Sequence, residues 1–281
     1  MDRTSRAPAT LLIAAACVLV FVLFQHGGLA LGVPRGIEYR CNAAEYGLIP
    51  YELTHPGGQL TDPYCQPQAE QEPHPGEEEH EHARTDPGLT ADAPAPLTVL
   101  SSMFMHGGLL HLGALMLLLA AAGPRLEERL GSARVLVLFL AGGAATAAAL
   151  VVASPDLPIP TIGASGAVAG VVGGLVALLP RARVTPFELP AASLLVAGVL
   201  LQIAFARGDV AQPVAGEGGD VVYVVPLAGL AVGAALARLL ATRRGRAAPG
   251  RRRRSSPAPR TGRRPWPGRS PRRRPPAGRG S

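Results

Sequence analysis

The sequence predicts an all-α membrane protein built from six transmembrane helices. Six long apolar runs take up most of the sequence outside one long loop and one tail, and 48% of the residues are hydrophobic. Each run approaches the ~20 residues that a helix needs to cross ~30 Å of hydrocarbon. The second observation is that arginines gather in alternate segments between these runs. The runs cover roughly residues 10–31, 104–122, 135–153, 162–179, 189–206 and 221–240.

The arginine distribution predicts the topology. Basic residues of short loops mark the cytoplasmic side of a membrane. In a six-span chain, the short segments that are rich in arginine all fall on one side, together with the C-terminal tail, and the segments on the opposite side are poor in arginine. We therefore expect a multi-pass protein of the plasma membrane with both termini in the cytoplasm. The arginines of the short cytoplasmic segments are Arg3 and Arg6, then Arg125, Arg129 and Arg134, then Arg181 and Arg183.

These features divide the chain into five parts. They are a cytoplasmic N-terminus (1–9), a first transmembrane helix (10–32), a long extracytoplasmic loop (33–97), a core of five helices (98–242) and a cytoplasmic tail (243–281). The loop holds twelve acidic residues against three arginines, and the tail holds fifteen arginines and no acid. An alternative is that residues 1–30 form a cleaved signal peptide, which leaves the remaining topology unchanged.

The loop and the tail lack the apolar residues of a folded core, so we expect residues 66–96 and the tail to be disordered. His74, His80 and His82 stand among glutamates and could bind a transition metal loosely, but a flexible acidic loop is favoured. No metal site and no cofactor are therefore expected. The arginine-rich tail would lie just inside the membrane, which favours anionic lipid over nucleic acid as its partner.

The three cysteines have different expected roles. Cys17 lies inside the first apolar run and is expected to be a small buried hydrophobic residue. Cys41 and Cys65 share the long loop and could form a disulfide if that loop is extracytoplasmic. Two free thiols are the alternative.

Glycines recur at helical spacing on two of the runs. Gly166, Gly170 and Gly174 lie four residues apart on the fourth span, and Gly229 and Gly233 do so on the sixth. Small residues at this spacing let two helix backbones approach closely. The pattern predicts that spans four and six pack together, which would bring Ser165 beside the start of span six.

Ser165 is the candidate nucleophile. It follows Gly163 and Ala164, precedes Gly166, and lies at the head of an apolar run, where a hydroxyl is costly without a partner or a purpose. A serine nucleophile needs a base within hydrogen-bond reach. All seven histidines precede Ser165 in the chain: His26, His55, His74, His80, His82, His106 and His111.

The second span completes a specific set of motifs. It begins Phe104-Met105-His106-Gly107-Gly108-Leu109-Leu110-His111 and ends Glu128-Arg129-Leu130-Gly131. With the Gly163–Gly166 element, this set resembles the rhomboid family of intramembrane serine proteases over residues 98–240. The resemblance implies a six-helix core with a short central fourth helix and a serine in a water-filled cavity below the extracytoplasmic surface.

By this resemblance, Ser165 occupies the nucleophile position. His111 and Gly163 belong to the oxyanion site, together with the backbone N–H of Ser165. Two positions depart from the family pattern. Leu115 stands where the family has an oxyanion-binding asparagine, and Pro226 stands where it has the catalytic histidine.

The departures predict an impaired enzyme. Tyr223 would be protonated at neutral pH, Asp220 is expected in a loop, and His106 or His111 could act as base only in an altered arrangement. The leading hypothesis is a member that binds transmembrane segments of client proteins without cleaving them. An active intramembrane endopeptidase with a non-standard base is the alternative. A small-molecule transporter or channel is disfavoured because no intramembrane acidic or basic pair lines the spans.

Overall fold

The computed structural model describes residues 7–26, 37–58, 93–184, 188–207 and 226–246. These residues are mainly helical. In chain order the helices are α1 (Pro8–Leu19), α2 (Ile37–Tyr46), α3 (Pro50–Thr54), α4 (Ala95–Ser101), α5 (Leu109–Leu130), α6 (Ser132–Ala153), α7 (Ser165–Leu178), α8 (Ser193–Arg207) and α9 (Pro226–Arg246). Two short antiparallel strands, β1 (Arg183–Val184) and β2 (Leu189–Pro190), form a hairpin between α7 and α8.

The N-terminal helix α1 packs into the main core. It continues as one π-helical segment, Val20–Phe24, and buries Ile13, Cys17 and Phe21 among side chains of the other helices. Its first turn binds a carboxylate. The backbone N–H groups of Ala9 and Thr10 donate to Glu127 of α5 at 2.9 and 3.1 Å, and the Thr10 hydroxyl donates at 2.8 Å. Since a helix N-terminus favours negative charge, Glu127 anchors α1 to the end of α5.

Three helices of the described chain lie outside the predicted spans. Within the predicted extracytoplasmic loop, α2 and α3 are ordered and contact the segment between α6 and α7. Leu48 and Thr161 form an antiparallel bridge with N···O distances of 3.0 and 2.8 Å. The helix α4, followed by the 3₁₀ turn Ser102–Phe104, precedes α5.

The second span therefore begins later than the sequence predicts. Helix α5 starts at Leu109, after Gly108 with φ 145°, whereas the apolar run begins at Phe104. A positive φ is incompatible with an α-helix, so the helix can begin only after Gly108. Glycine suits this position because residues with a side chain rarely adopt such a φ. Helix α5 then runs to Leu130 and accommodates Pro124 in its interior.

Helices α5 and α6, of 22 residues each, are long and apolar enough to cross a membrane. The remaining apolar helices of the described chain are shorter, and the number of six spans stays a prediction.

Helix α7 lies at the centre of the core. It has 14 residues, so its length is about 21 Å, which is less than the hydrocarbon thickness. Nine of its residues are buried, and it packs against α5, α6 and α9. A helix that is apolar on all sides is expected in this central position.

Candidate functional site

Ser165 is the first residue of α7 and is half-buried. The preceding turn is held by Gly163, whose φ of +136° suits glycine, and whose N–H donates to the Ser102 carbonyl at 2.9 Å. The Leu48–Thr161 bridge fixes the same segment two residues earlier. The loop before α7 is therefore tied both to the 3₁₀ turn after α4 and to the segment before α3.

The structure brings His111 and Gly163 together. A Cβ atom added to Gly163 would lie 2.9 Å from His111 Cε1 and 3.5 Å from Nε2, so the imidazole occupies the space that a side chain would need. The Gly107 N–H donates to His111 Nδ1 at 3.3 Å. A neutral ring in this arrangement carries its proton on Nε2, which can act as a hydrogen-bond donor.

The backbone of His106 is held by hydrogen bonds to two side chains from other segments. Its backbone N–H donates to Gln25 Oε1 at 2.8 Å, and its carbonyl accepts from Gln25 Nε2 at 3.2 Å and from the Tyr39 hydroxyl at 3.1 Å. Burial raises the pKa of Tyr39, so this hydroxyl stays protonated and can donate. The His106 ring is buried, with its Nδ1 3.1 Å from the Phe104 carbonyl and its centroid 5.7 Å from that of His111.

A cavity of about 290 Å³ contains the predicted nucleophile and the two positions that the resemblance predicts to be substituted. Ser165, Leu115 and Pro226 all line it. We call it the serine cavity. Its walls come from α5, α7, α8 and α9, and they are mostly apolar. The other lining residues are Leu118, Val168, Ala169, Val172, Leu194, Leu195, Gly198, Val199, Leu201, Gln202, Leu227 and Leu230.

The polar chemistry in the serine cavity is sparse. Across the part of the chain that the structure describes, the Ser165 hydroxyl makes no hydrogen bond. Leu115 is buried and offers neither donor nor acceptor. Pro226 is the first residue of α9, a position where its missing N–H costs little because the first helical amides have no intrahelical partner. Asp220 and Tyr223 lie outside the described residues.

The glycines of α7 and α9 lie at a backbone-to-backbone contact. A Cβ on Gly233 would overlap the Gly170 carbonyl oxygen, and one on Gly229 would overlap that of Gly166. Gly142 of α6 joins the contact, because its added Cβ would lie 2.8 Å from the Gly170 Cα. This packing sets the start of α9, with Pro226, beside the start of α7, with Ser165.

The two cysteines that the structure describes differ in their bonding state. Cys17 is a buried free thiol, and Cys41 is disulfide-bonded. Cys65 lies outside the described residues, as do His74, His80, His82 and the tail after Arg246. The Cys41–Cys65 pairing, the loose metal site and the lipid-binding tail therefore stay predictions. Within the described ranges, no cluster of three potential metal ligands occurs.

Three residues with evident roles were not singled out from the sequence. Gln202 brings an amide to the wall of the serine cavity, Glu127 anchors α1, and Gln25 holds the His106 backbone. Each is a polar residue in or beside an apolar run, where a polar side chain calls for an explanation. The signal was present, but the partners of Glu127 and Gln25 come from segments 118 and 81 residues away in the chain.

Comparison with known proteins supports a single assignment. The family model described as Rhomboid domain matches residues 95–243, which is more than half of the chain. Neither the curated proteins nor the solved structures contain a match to this chain. The matched region runs from α4 to α9 and includes the whole serine cavity. Together with its apolar helices, the match shows that the chain is a membrane protein and belongs to the rhomboid family.

Proposed function

We propose that this protein binds transmembrane segments of client proteins in the serine cavity and does not cleave them. The observation that carries the proposal is the composition of the cavity wall. Ser165 faces the same space as Leu115 and Pro226, and its hydroxyl has no hydrogen-bond partner in the described chain. The fold of an intramembrane protease is retained, and the groups that would activate its serine are absent from the described wall.

The chemistry of peptide hydrolysis explains why these positions matter. The serine must lose its proton to a base as it attacks, and general base catalysis contributes ~10²–10⁴-fold to such rates. A donor to the developing oxyanion contributes another ~10²–10³-fold. Pro226 and Leu115 supply neither, so the combined loss would reduce cleavage to a low residual rate. His111 and Gly163 would remain as an incomplete oxyanion site.

Client binding would use the apolar wall. Helices in lipid associate through close packing and hydrogen bonds, because lipid is as apolar as the helices themselves. A cavity of about 290 Å³ between α5, α7, α8 and α9 offers shape complementarity to apolar side chains of a client helix. Gln202 and Ser165 would add hydrogen bonds to a polar group of that helix, and Val199 lies at the accessible part of the wall, with 48% exposure.

The proposed setting is the plasma membrane, with a multi-pass chain and both termini in the cytoplasm. The support is the arginine bias of the short segments, by which the start of α7 would lie near the extracytoplasmic side. The arginine-rich tail would then bind anionic lipid on the cytoplasmic face. Accessibility labelling of single cysteines introduced at Thr61 and Ser281 should report opposite sides of the membrane.

A second function is an active intramembrane serine endopeptidase with a non-standard base. The observation that favours it is the geometry at the start of α7, where His111 lies against Gly163 and Ser165 is partly accessible. His111 and His106 are the first bases to test by substitution. This function predicts cleavage of transmembrane substrates that Ser165→Ala abolishes.

The binding proposal can be tested by photo-crosslinking in membranes. A photoreactive amino acid at Val199 should crosslink to a panel of tagged single-span proteins. The same group at Val137 of α6, which is 47% exposed but does not line the cavity, is the matched control. Gly198→Leu, which fills the cavity, should suppress the Val199 adducts. Equal adducts from both positions, or adducts unaffected by Gly198→Leu, would rule out the cavity as the binding site.

A further inference from the structure

A second cavity, of about 430 Å³, lies at the opposite end of α5 from His111 and carries arginines instead of apolar side chains. It forms where the last turns of α5 meet the turn between α7 and the β hairpin. We call it the arginine cavity. Its lining consists of Arg125, Glu128, Arg129, Leu179, Ala182 and Arg183.

The residues that line the arginine cavity include more basic than acidic side chains. Three guanidinium groups line it together with one carboxylate, that of Glu128. Arg125 Nη1 lies 3.5 Å from Glu128 Oε2, and the two side chains are 44% and 43% exposed. An ion pair at this exposure contributes little, about 0–1 kcal/mol, so Arg125 can exchange Glu128 for a stronger anionic partner.

The position of Arg183 is fixed by the hairpin. Its Nη1 donates to the Glu188 carbonyl at 2.9 Å, across the short loop between β1 and β2. One nitrogen of the guanidinium is thus used to hold the side chain, and the planar group keeps further N–H donors. Arg183 and Arg125 come from different segments and both line the cavity, so an anion inside it can contact both guanidinium groups.

The chemistry of this arrangement indicates phosphate. Guanidinium groups bind phosphate oxygens with paired, charge-assisted hydrogen bonds. The cavity volume falls within the ~300–1,000 Å³ of typical small-ligand sites. It adjoins the end of α5, a helix long enough to cross the membrane, and Leu179 and Ala182 give it an apolar wall. Basic pockets between transmembrane helices are suited to anionic lipid headgroups.

We infer that the arginine cavity binds a phosphate group, supplied by the headgroup of an anionic phospholipid. Arg125 and Arg183 hold the phosphate oxygens from two sides, Arg129 adds positive charge, and Leu179 contacts the apolar part of the lipid. Glu128 competes with the phosphate for Arg125. This site shares no lining residue with the serine cavity.

The test is titration of the full-length protein, in a neutral detergent, with a short-chain phosphatidylglycerol that stays monomeric. The readout is lipid adducts retained in native mass spectrometry. Arg125→Gln with Arg183→Gln should weaken binding at least 30-fold, because two charge-assisted contacts are lost. Glu128→Gln should tighten binding several-fold. That opposite sign separates ligand binding from a loss of folding.

Charge alone is controlled by Arg134→Gln with Arg181→Gln, which removes two arginines of neighbouring segments that do not line the cavity. This control should bind within about threefold of the wild type. A parallel titration with inorganic phosphate separates the two sources. If phosphate binds with the same dependence on Arg125 and Arg183 and the lipid does not, the site takes free phosphate. Equal losses in both double variants, or no loss in either, would overturn the proposal.

Discussion

Two glycines in helices beside the central helix α7 differ in the space around them: one is tightly packed and the other is open. Gly233 of α9 lies against the Gly170 backbone, where even one added Cβ would overlap a carbonyl oxygen. Gly198 of α8 lines the serine cavity, and an added Cβ there would meet no atom within 4 Å. The α6–α7–α9 side of the core is packed backbone to backbone, and the α8 side is loosely filled.

This difference explains how the rhomboid fold would tolerate the two side-chain exchanges that the resemblance predicts at the site. Leu115 and Pro226 line the roomy side, where an exchange of side chains disturbs little packing. Pro226 also begins α9, so it costs no helical hydrogen bond. Gly170 of α7 and Gly233 of α9 lie on the tight side, where an added Cβ would overlap backbone atoms. Stability and chemistry are therefore carried by different faces of α7.

The largest expected effect is on the tight side. Gly233→Ala should destabilise the protein by more than the ~1–3 kcal/mol typical of overpacking, because a backbone carbonyl cannot move aside as a side chain can. Unfolding by denaturant in detergent measures the change.

Gly198→Ala is the matched control for this substitution. It makes the same exchange within a helix, at a position with open space, and should be neutral or stabilising by up to ~1 kcal/mol. Similar stability of the two variants would contradict the comparison between the two sides.

A smaller loss is expected at the anchor of α1. Glu127→Gln removes the charge that accepts three hydrogen bonds from Ala9 and Thr10, which should cost ~1–3 kcal/mol. Glu128→Gln, at the next residue, removes the same charge from an exposed pair and should cost less than ~1 kcal/mol. Thermal unfolding of both variants measures this difference. Equal melting temperatures would show that Glu127 does not hold α1.

Filling the serine cavity should change stability least. Gly198→Leu places a side chain in existing space, so we expect a change below ~1 kcal/mol. Its effect should instead be on client adducts from Val199. If the variant unfolds as readily as Gly233→Ala, the cavity is not open on the α8 side.

A double substitution that supplies a base and an oxyanion donor is expected to give weak proteolytic activity. Leu115→Asn with Pro226→His introduces the two side chains that the resemblance predicts, at positions that share the cavity with Ser165. Slow cleavage of a model transmembrane substrate, lost again on Ser165→Ala, is the expected outcome. Each single variant should give less, since base and oxyanion donor act together.

The family and the apolar helices of the core could be predicted from the sequence. Apolar runs and the motifs around His111 and Ser165 are local signals, and the family match over residues 95–243 confirms the resemblance. The start of α5 could not, because Gly108 interrupts the apolar run by backbone conformation and not by polarity. The ordered helices α2 and α3 were missed because their contacts, such as Leu48 with Thr161, join segments far apart in the chain.

The sequence predicts the site residues that belong to recognisable motifs, but not the residues that complete the cavity wall. Ser165, Leu115 and Pro226 were identified by position in motifs, and the structure places all three around one cavity. The wall that α8 contributes was not identified, since Gln202 and Val199 belong to a helix without a motif. Cavity shape depends on how helices pack, and spacing along one helix does not determine it.

The most direct test of the account is whether Ser165 is nucleophilic. Purified full-length protein should be treated with a fluorophosphonate serine probe, with Ser165→Ala as the background and the Leu115→Asn and Pro226→His double variant as the comparison. The account predicts that wild type labels no more than Ser165→Ala, because no base in the described cavity takes the Ser165 proton. Labelling of wild type that Ser165→Ala abolishes would contradict it and identify an active protease with an unrecognised base.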